Sequence, residues 1–290
     1  MIFAWIERHR TQWTVVVMCR VLEVSRSGYY SYRGRSPSAT AVRRQQLVEK
    51  IRQVHGERHK GNYGSPRMTK ELQTRGLDCS ENWVAKVMKH AEIRAKSVKR
   101  WIRTTDSNHR LPVAENVLDR HFTATKPNAA WVTDITYIPT GTGWLYLALV
   151  ADLFSRRIVG WSMDITMTSR LVVDALAMAL GRRAVTPGLI VHSDRGSQYC
   201  SEHYQRELAR HGLVPSMSRR ANCWDNAVAE STFGRLKVEL THQCCYADAE
   251  EAKSSLFEYV EGFWNRERRH STLGYLSPDE YERSHHPDTR

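Results

Sequence analysis

The stretch Trp131-Val132-Thr133-Asp134-Ile135-Thr136-Tyr137-Ile138 decides how the rest of the chain is read. Its β-branched and aromatic residues make a strand, which the sequence ends at Pro139. An aspartate inside such a run is disfavoured by propensity and costly if its carboxylate is buried without a partner. Working outward, Gly141-Thr142-Gly143 signals a turn, and Leu145 to Ala151 reads as a second strand. Asp152-Leu153-Phe154-Ser155 turns the chain into a third, Arg157 to Met163. Residues 168–182 have helical period and end at Gly181, and Leu189-Ile190-Val191-His192 is a short apolar strand. A helix at 202–211, a fifth strand from Leu213 to Met217, and helices near 225–241 and 248–267 complete the pattern. Three meandering strands followed by alternating helix and strand predict an α/β fold, a mixed five-stranded sheet with flanking helices.

The first hundred residues read differently, as mainly helical. Val15, Met18, Cys19 and Leu22 recur at helical spacing over 11–22, and a turn at Glu23-Val24 leads to Ser25, an N-cap for the next helix. Residues 41–55 predict a long basic helix. A second helix-turn-helix pattern follows, with Pro66 opening a helix over 66–75, Gly76 ending it and Ser80 capping the next. In that last helix Val84, Val87 and Met88 form the inward stripe, leaving Asn82, Lys86 and Lys89 outward, where the lysines can meet phosphates in a major groove. Charge supports the division. The chain carries a net +12, but residues 1–110 hold 23 Lys+Arg against 9 Asp+Glu, whereas 111–290 hold 20 against 22. A basic front attached to a near-neutral body points to nucleic acid, although solvated helix faces account for part of that charge. The expected organisation is a DNA-binding region over 1–110, a linker over 111–125, a catalytic core over 126–275 and a tail over 276–290. Six scattered cysteines without a Cys-x-x-Cys pair argue for reduced thiols in a cytoplasmic protein. The apolar run Trp13 to Met18 is too short to span a bilayer, so no membrane partner is expected.

Three acids stand out by position: Asp134 within its strand, Asp194 just after the apolar strand 189–192, and Glu230 on a helix whose packing face is Phe233, Leu236 and Leu240. Ligands in open α/β sheets gather at strand ends. If the strands of Asp134 and Asp194 are neighbours, their carboxylates lie roughly 5–7 Å apart, given a strand spacing of about 4.8 Å. Three such carboxylates repel one another unless a cation lies among them, and hard oxygen ligands suit Mg²⁺ or Mn²⁺. Each acid taken singly reads equally well as a turn, cap or salt-bridge residue.

The motifs Trp131-Val132-Thr133-Asp134-Ile135-Thr136-Tyr137, His192-Ser193-Asp194-Arg195-Gly196-Ser197-Gln198-Tyr199 and Asp225-Asn226-Ala227-Val228-Ala229-Glu230-Ser231 resemble bacterial insertion-sequence transposases with a retroviral-integrase-type core. The 35 residues between Asp194 and Glu230 match that superfamily's spacing, and Lys237 matches its basic residue two helical turns further on. Trp264-Asn265, Arg269-His270, Leu273-Gly274-Tyr275 and Ser277-Pro278 resemble its closing segment. Val24 to Tyr30 and Tyr63 to Arg67 are similar to the opening of its OrfB-type subunits. A Trp at 264 stands where a Tyr is more usual.

The resemblance implies a ribonuclease-H-like core and a DNA transposase that cleaves and joins element ends. It implies Asp134, Asp194 and Glu230 as ligands of two Mg²⁺ or Mn²⁺ ions per site, and Lys237 as a phosphate contact. The partners implied are double-stranded DNA (terminal inverted repeats and target), further copies of the chain on DNA, and a helix-turn-helix subunit encoded upstream. Transposition would proceed by copying out a circular intermediate.

Arg219, Arg220 and the Arg266–His270 cluster, Arg269 within it, are further candidate phosphate contacts. Trp224 reads either as a base-stacking residue or as core. His192-Ser193-Asp194 superficially suggests a hydrolase triad, but no Gly-x-Ser-x-Gly elbow occurs, and a packing histidine is the better reading. Asp152 reads as a hairpin residue rather than a fourth ligand. Two rivals remain, a DNA-binding protein without activity and a ribonuclease-H-type nuclease without strand transfer.

Overall fold

The computed structural model describes residues 2–96, 111–219 and 223–285. By contacts the chain forms two units, Met1–Ile51 and Arg52–Arg290.

In the first unit, α1 (Ile2–His9), α2 (Val15–Val21) and α3 (Arg26–Arg33) close on a small core of Ile6, Met18, Cys19 and Tyr29. Helix α2 begins later than its periodicity suggests, because residues 10–13 form a turn. Ser25 caps α3 as expected, accepting the Gly28 N–H at 3.0 Å. A Cβ at Gly28 would stand 2.7 Å from that hydroxyl and 3.1 Å from the Phe3 ring, so only glycine fits there. The unit boundary falls within α4 (Ala39–Gly56).

In the second unit, α5 (Ser65–Thr74) and α6 (Glu81–His90) form the expected helical pair. Gly76, at φ +82°, ends the first helix, and Ser80 caps the second through the Trp83 N–H. The sheet order is β3-β2-β1-β4-β5, with β1 (Ala130–Thr140), β2 (Gly143–Asp152), β3 (Ile158–Asp164), β4 (Ile190–Ser193) and β5 (Val214–Met217). The first three strands pair antiparallel, and β4 and β5 join in parallel. Strand β1 continues through Pro139, which pairs with Trp144 of β2 beyond the stretch of β1 that β4 covers, so the missing proline N–H costs no bond to β4.

Side chains alternate across the sheet and divide the core in two. Trp131, Ala148, Val150 and Val159 pack under α7 (Ser169–Arg182) and α8 (Glu202–Arg210). Ala130, Val132 and Ala151 pack with Ala229 of α9 (Ala227–Glu239) on the other face. Gly160 lets α7 approach β3, since a Cβ there would collide with the Ala175 carbonyl. The helix expected over 248–267 is instead α10 (Ala249–Phe257) continued by a wider π-helical segment, Glu258–Trp264. Just past it, the Asn265 amide bonds both the N–H and the carbonyl of Ile158, covering part of the β3 edge. Residues 276–290, read as a tail, begin with a docked helix, α11 (Pro278–His285). Its buried Glu282 accepts from the Ser155 hydroxyl at 2.6 Å and from Arg183 at 2.5 Å. No helix among the described residues is long and apolar enough to cross a membrane.

Candidate active site

Parallel pairing of β1 with β4 sets Ala130 opposite Ile190, Trp131 opposite Val191 and Val132 opposite His192. Continued by two residues, this register makes Asp134 level with Asp194, on strands about 4.8 Å apart. Alternation turns Asp134 to the face that carries Ala130 and Val132, against which α9 lies. Glu230 stands in the first turn of α9, whose Ala229, Phe233 and Leu236 are buried and fix its rotation.

The electrostatics couple the three acids. Burial pushes the Asp134 carboxyl well above its ordinary range; the Asp194 charge pushes the same way, the Ile135 N–H opposes, and Glu230 adds a smaller push. Glu230 is raised by burial and then by Asp194. Asp134 Oδ1 accepts the Ile135 N–H, and Asp194 Oδ1 accepts the Gly196 N–H, each at 2.8 Å. Tyr199 lies between these loops and the core, its hydroxyl 3.1 Å from that of Thr133, and burial followed by the Asp134 charge raises it. Among the described residues, no three His, Cys, Asp or Glu side chains close into a ready-made metal cage.

Lys237 belongs to this pocket rather than to solvent. It is half-buried, with its ammonium 5.6 Å above the centre of the Tyr137 ring; burial lowers its pKa and the Asp134 charge opposes that.

Behind the acids lies a feature missed in the sequence. Asp225 is fully buried and accepts from the Arg219 backbone N–H at 2.9 Å, Arg219 Nε at 2.8 Å, Arg120 Nε at 2.8 Å and Asn116 Nδ2 at 3.0 Å. The Arg219 bonds hold its carboxyl far below the ordinary range. It thereby joins residues 116–120, the exit from β5 and the start of α9. Only its place in the motif beside Glu230 hinted at this.

Two expected phosphate contacts are engaged by acids. Arg219 pairs with Asp225 and Asp119, its side chain staying 47% exposed. Arg269 is buried, with Nε on Glu71 at 2.7 Å and Nη1 on the Tyr275 carbonyl at 3.1 Å, so it is a packing arginine and not a surface cation. Arg220 lies outside the described residues. Lys86 and Lys89 are exposed on α6, opposite the buried Val84, Val87 and Met88. His192 is buried between the Ser216 and Ser218 hydroxyls at 2.9 and 3.2 Å, and burial drives its pKa down to about 4, so it packs as a neutral ring. Asp152 is a hairpin residue, accepting the Asn128 and Phe154 N–H groups. Cys19, Cys200, Cys244 and Cys245 are free thiols.

Family models described as Integrase core domain match residues 124–223 and 230–285, and one described as HTH-like domain matches 42–101. The chain is 43% identical, over 281 residues, to Transposase InsF for insertion sequence IS3A of Escherichia coli (strain K12), covering 97% of this chain and 98% of that one. It is 42% identical over 269 residues to the Insertion element IS600 uncharacterized 31 kDa protein of Shigella sonnei, covering 93% and 98%. A chain of the simian T-cell lymphotropic virus intasome in complex with PP2A regulatory subunit B56 gamma aligns at TM-score 0.47 and 15% identity, covering 83% of this chain and 74% of that one. The chain belongs to the IS3 family of insertion-sequence transposases, with an integrase core domain preceded by an HTH-like domain.

Proposed function

We propose that this chain is the catalytic subunit of an insertion sequence, cutting its DNA ends and joining them to a target through Asp134, Asp194 and Glu230. What supports the reading is the β1–β4 register, which pairs Val132 with His192, two residues before Asp134 and Asp194, while α9, the helix of Glu230, packs on the face of β1 that carries Ala130 and Val132. The mutual raising of Asp134 and Glu230 by Asp194 supports it, because carboxylates that repel one another favour a cation between them.

The three carboxylates would hold two Mg²⁺ or Mn²⁺ ions. Such ions, when bound, supply activation of the attacking hydroxyl and charge neutralisation at the leaving oxygen of an in-line displacement. Asp134 and Asp194 are held in position by strand pairing and by the Ile135 and Gly196 N–H groups, so little reorganisation is needed. Lys237, aimed over Tyr137 toward Asp134, supplies a positive charge for the phosphodiester. Lys86 and Lys89, on the outward face of α6, contact the duplex backbone further from the chemistry. Residues 1–110 form the DNA-binding region, 111–125 the connection, 126–275 the core and 276–290 its C-terminal extension. The chain works in the bacterial cytoplasm on double-stranded DNA, pairs two ends by assembling with further copies, and acts with a helix-turn-helix subunit encoded upstream.

The test is Mg²⁺-dependent joining of oligonucleotides copied from the inverted repeats that flank the gene, with Asp134→Asn and Glu230→Gln as controls. Loss in both variants is expected, and undiminished joining in either rejects the assignment. An RNA–DNA hybrid run alongside separates transposition from ribonuclease-H-type cleavage, since the hybrid is expected to stay intact.

A further inference from the structure

Trp224 is 70% exposed, the most exposed tryptophan among the described residues, while its neighbours Asp225 and Asn226 are 0% and 5% exposed. An indole left in water forgoes the large apolar burial that usually places it in a core, so core packing is excluded as its role. Its mount is rigid. Asp225 is fastened to Arg219, Arg120 and Asn116, and the short 3₁₀ turn Cys223–Asn226 leads directly into α9.

That mount sits at the rim of the acidic site. Ser218, next to Arg219, donates its N–H to the Ser193 carbonyl at 3.0 Å and accepts Arg195 Nε at 2.6 Å, so it is tied to both residues flanking Asp194. On the other side Glu230 follows Trp224 by six residues, through the end of the turn and the first turn of α9. The backbone that carries the indole is therefore tied to the loop of Asp194 and leads into the helix of Glu230. Arg120 and Arg219, the arginines that share its mount, have side chains 45% and 47% exposed. Aromatic faces interleaved with guanidinium groups are how proteins hold unpaired bases beside their phosphates.

We propose that Trp224 stacks on a nucleobase adjoining the reacting phosphodiester and holds it out of the duplex. This rests on the DNA-cutting reading above and deepens it, since it gives the site a preference for end-proximal nucleotides that can be unpaired. A protein partner on the same indole is the competing occupant, and the test below separates the two.

The experiment is a cycle between one side chain and one base, read by fluorescence anisotropy of a labelled duplex bearing the flanking inverted repeat. With the full chain, Trp224→Ala is expected to weaken binding roughly 5- to 100-fold, the range for loss of one stacked base, while Trp224→Phe retains most of the affinity. A single abasic nucleotide is then moved through the terminal positions. At one of them the original protein should fall to the affinity of Trp224→Ala, and Trp224→Ala should lose nothing further. Equal binding of the original protein and Trp224→Ala on intact duplex overturns the proposal, as does a deficit that persists at every abasic position. Because only binding is read, the cycle is independent of the acids. A positive cycle with undiminished joining by Asp134→Asn or Glu230→Gln rejects the triad and keeps the stacking contact, whereas normal joining with a flat cycle rejects the stacking contact alone.

Discussion

Glu239 and Arg268 form a two-bonded ion pair at 2.6 and 2.7 Å with both side chains 2% exposed, and Glu239 lies on the same helix as Glu230. The carboxylate also accepts from the Tyr259 hydroxyl at 2.8 Å and from Arg67 of α5 at 3.4 Å. Burial alone would raise its pKa, and Arg268, Arg67 and the Tyr259 hydroxyl together more than offset that. The far end of α9 is thus locked to α5 and to the segment after the π-helical turns. Glu239→Gln leaves Arg268 buried without a counter-charge and should destabilise the fold by about 3–5 kcal/mol. Urea unfolding of Glu239→Gln, Arg268→Met and the double variant checks this. The double variant should cost clearly less than the two single changes added together, and strict additivity would contradict the pairing.

A second buried carboxylate gives a pH signature. Burial pushes Glu71 up, but hydrogen bonds from Arg269, Arg75 and Lys60 prevail and hold it at about 2, against an ordinary value of 4.5. A depressed acid contributes stability above its unfolded pKa and loses it as pH falls through the folded one. The contribution, on the order of 3 kcal/mol, should be present at pH 7 and disappear between about pH 4.5 and 2. Glu71→Gln should flatten the stability curve across that acid window and lower stability above it. A variant with the same acid slope as the original protein would show that the ion cluster of Lys60, Arg75 and Arg269 does not depend on Glu71.

Asp134 predicts the opposite sign. Its raised pKa means the ionised form is strained in the folded chain, by burial first and then by Asp194, so stability falls as pH rises from 3.8 through the folded value. In metal-free buffer at pH 7, Asp134→Asn should therefore raise the thermal midpoint, since an amide can still accept the Ile135 N–H. Added Mg²⁺ should stabilise the original protein, by about 2.7 kcal/mol at a hundredfold excess over Kd, and leave the variant nearly unmoved. Scanning calorimetry with and without Mg²⁺ measures both effects. A less stable Asp134→Asn that still responds to Mg²⁺ would remove Asp134 from the ligand set.

Local patterns were legible where one cause dominated. The succession of strands and helices, the caps at Ser25 and Ser80, and the inward stripe of Val84, Val87 and Met88 follow from periodicity and turn chemistry, which act over a few residues. Charge was less readable, because whether an arginine meets solvent or a buried acid depends on partners far away in sequence. Arg269 is matched by Glu71, 198 residues earlier, and Glu239 by Arg67, 172 residues earlier. Neither pairing leaves a local mark. The same holds for Asp225, whose arginine partner Arg120 lies in a stretch read as linker. Pro139 reads as the end of β1 because a proline cannot donate to a ladder, but β4 pairs with β1 only over Ala130–Val132, so no bond to β4 is lost there.

Lys237 supplies the last test, because its surroundings divide its role between structure and substrate. The ammonium is half-buried over Tyr137 and feels Asp134, so replacing it removes a charge from inside the pocket. If that charge meets the DNA backbone, Lys237→Gln should lower the slope of log affinity against log salt by about one, as expected for one lost phosphate contact, and weaken binding alike on all sequences. Lys86→Gln and Lys89→Gln should reduce the slope in the same way but leave joining per bound complex intact, since these side chains stand on the outer face of α6. Lys237→Gln should reduce both, because the charge it loses lies beside Asp134, which is proposed to hold the metal. Salt titrations paired with single-turnover joining distinguish these outcomes. An unchanged slope with slower joining would mean that Lys237 acts on Asp134 and not on the DNA.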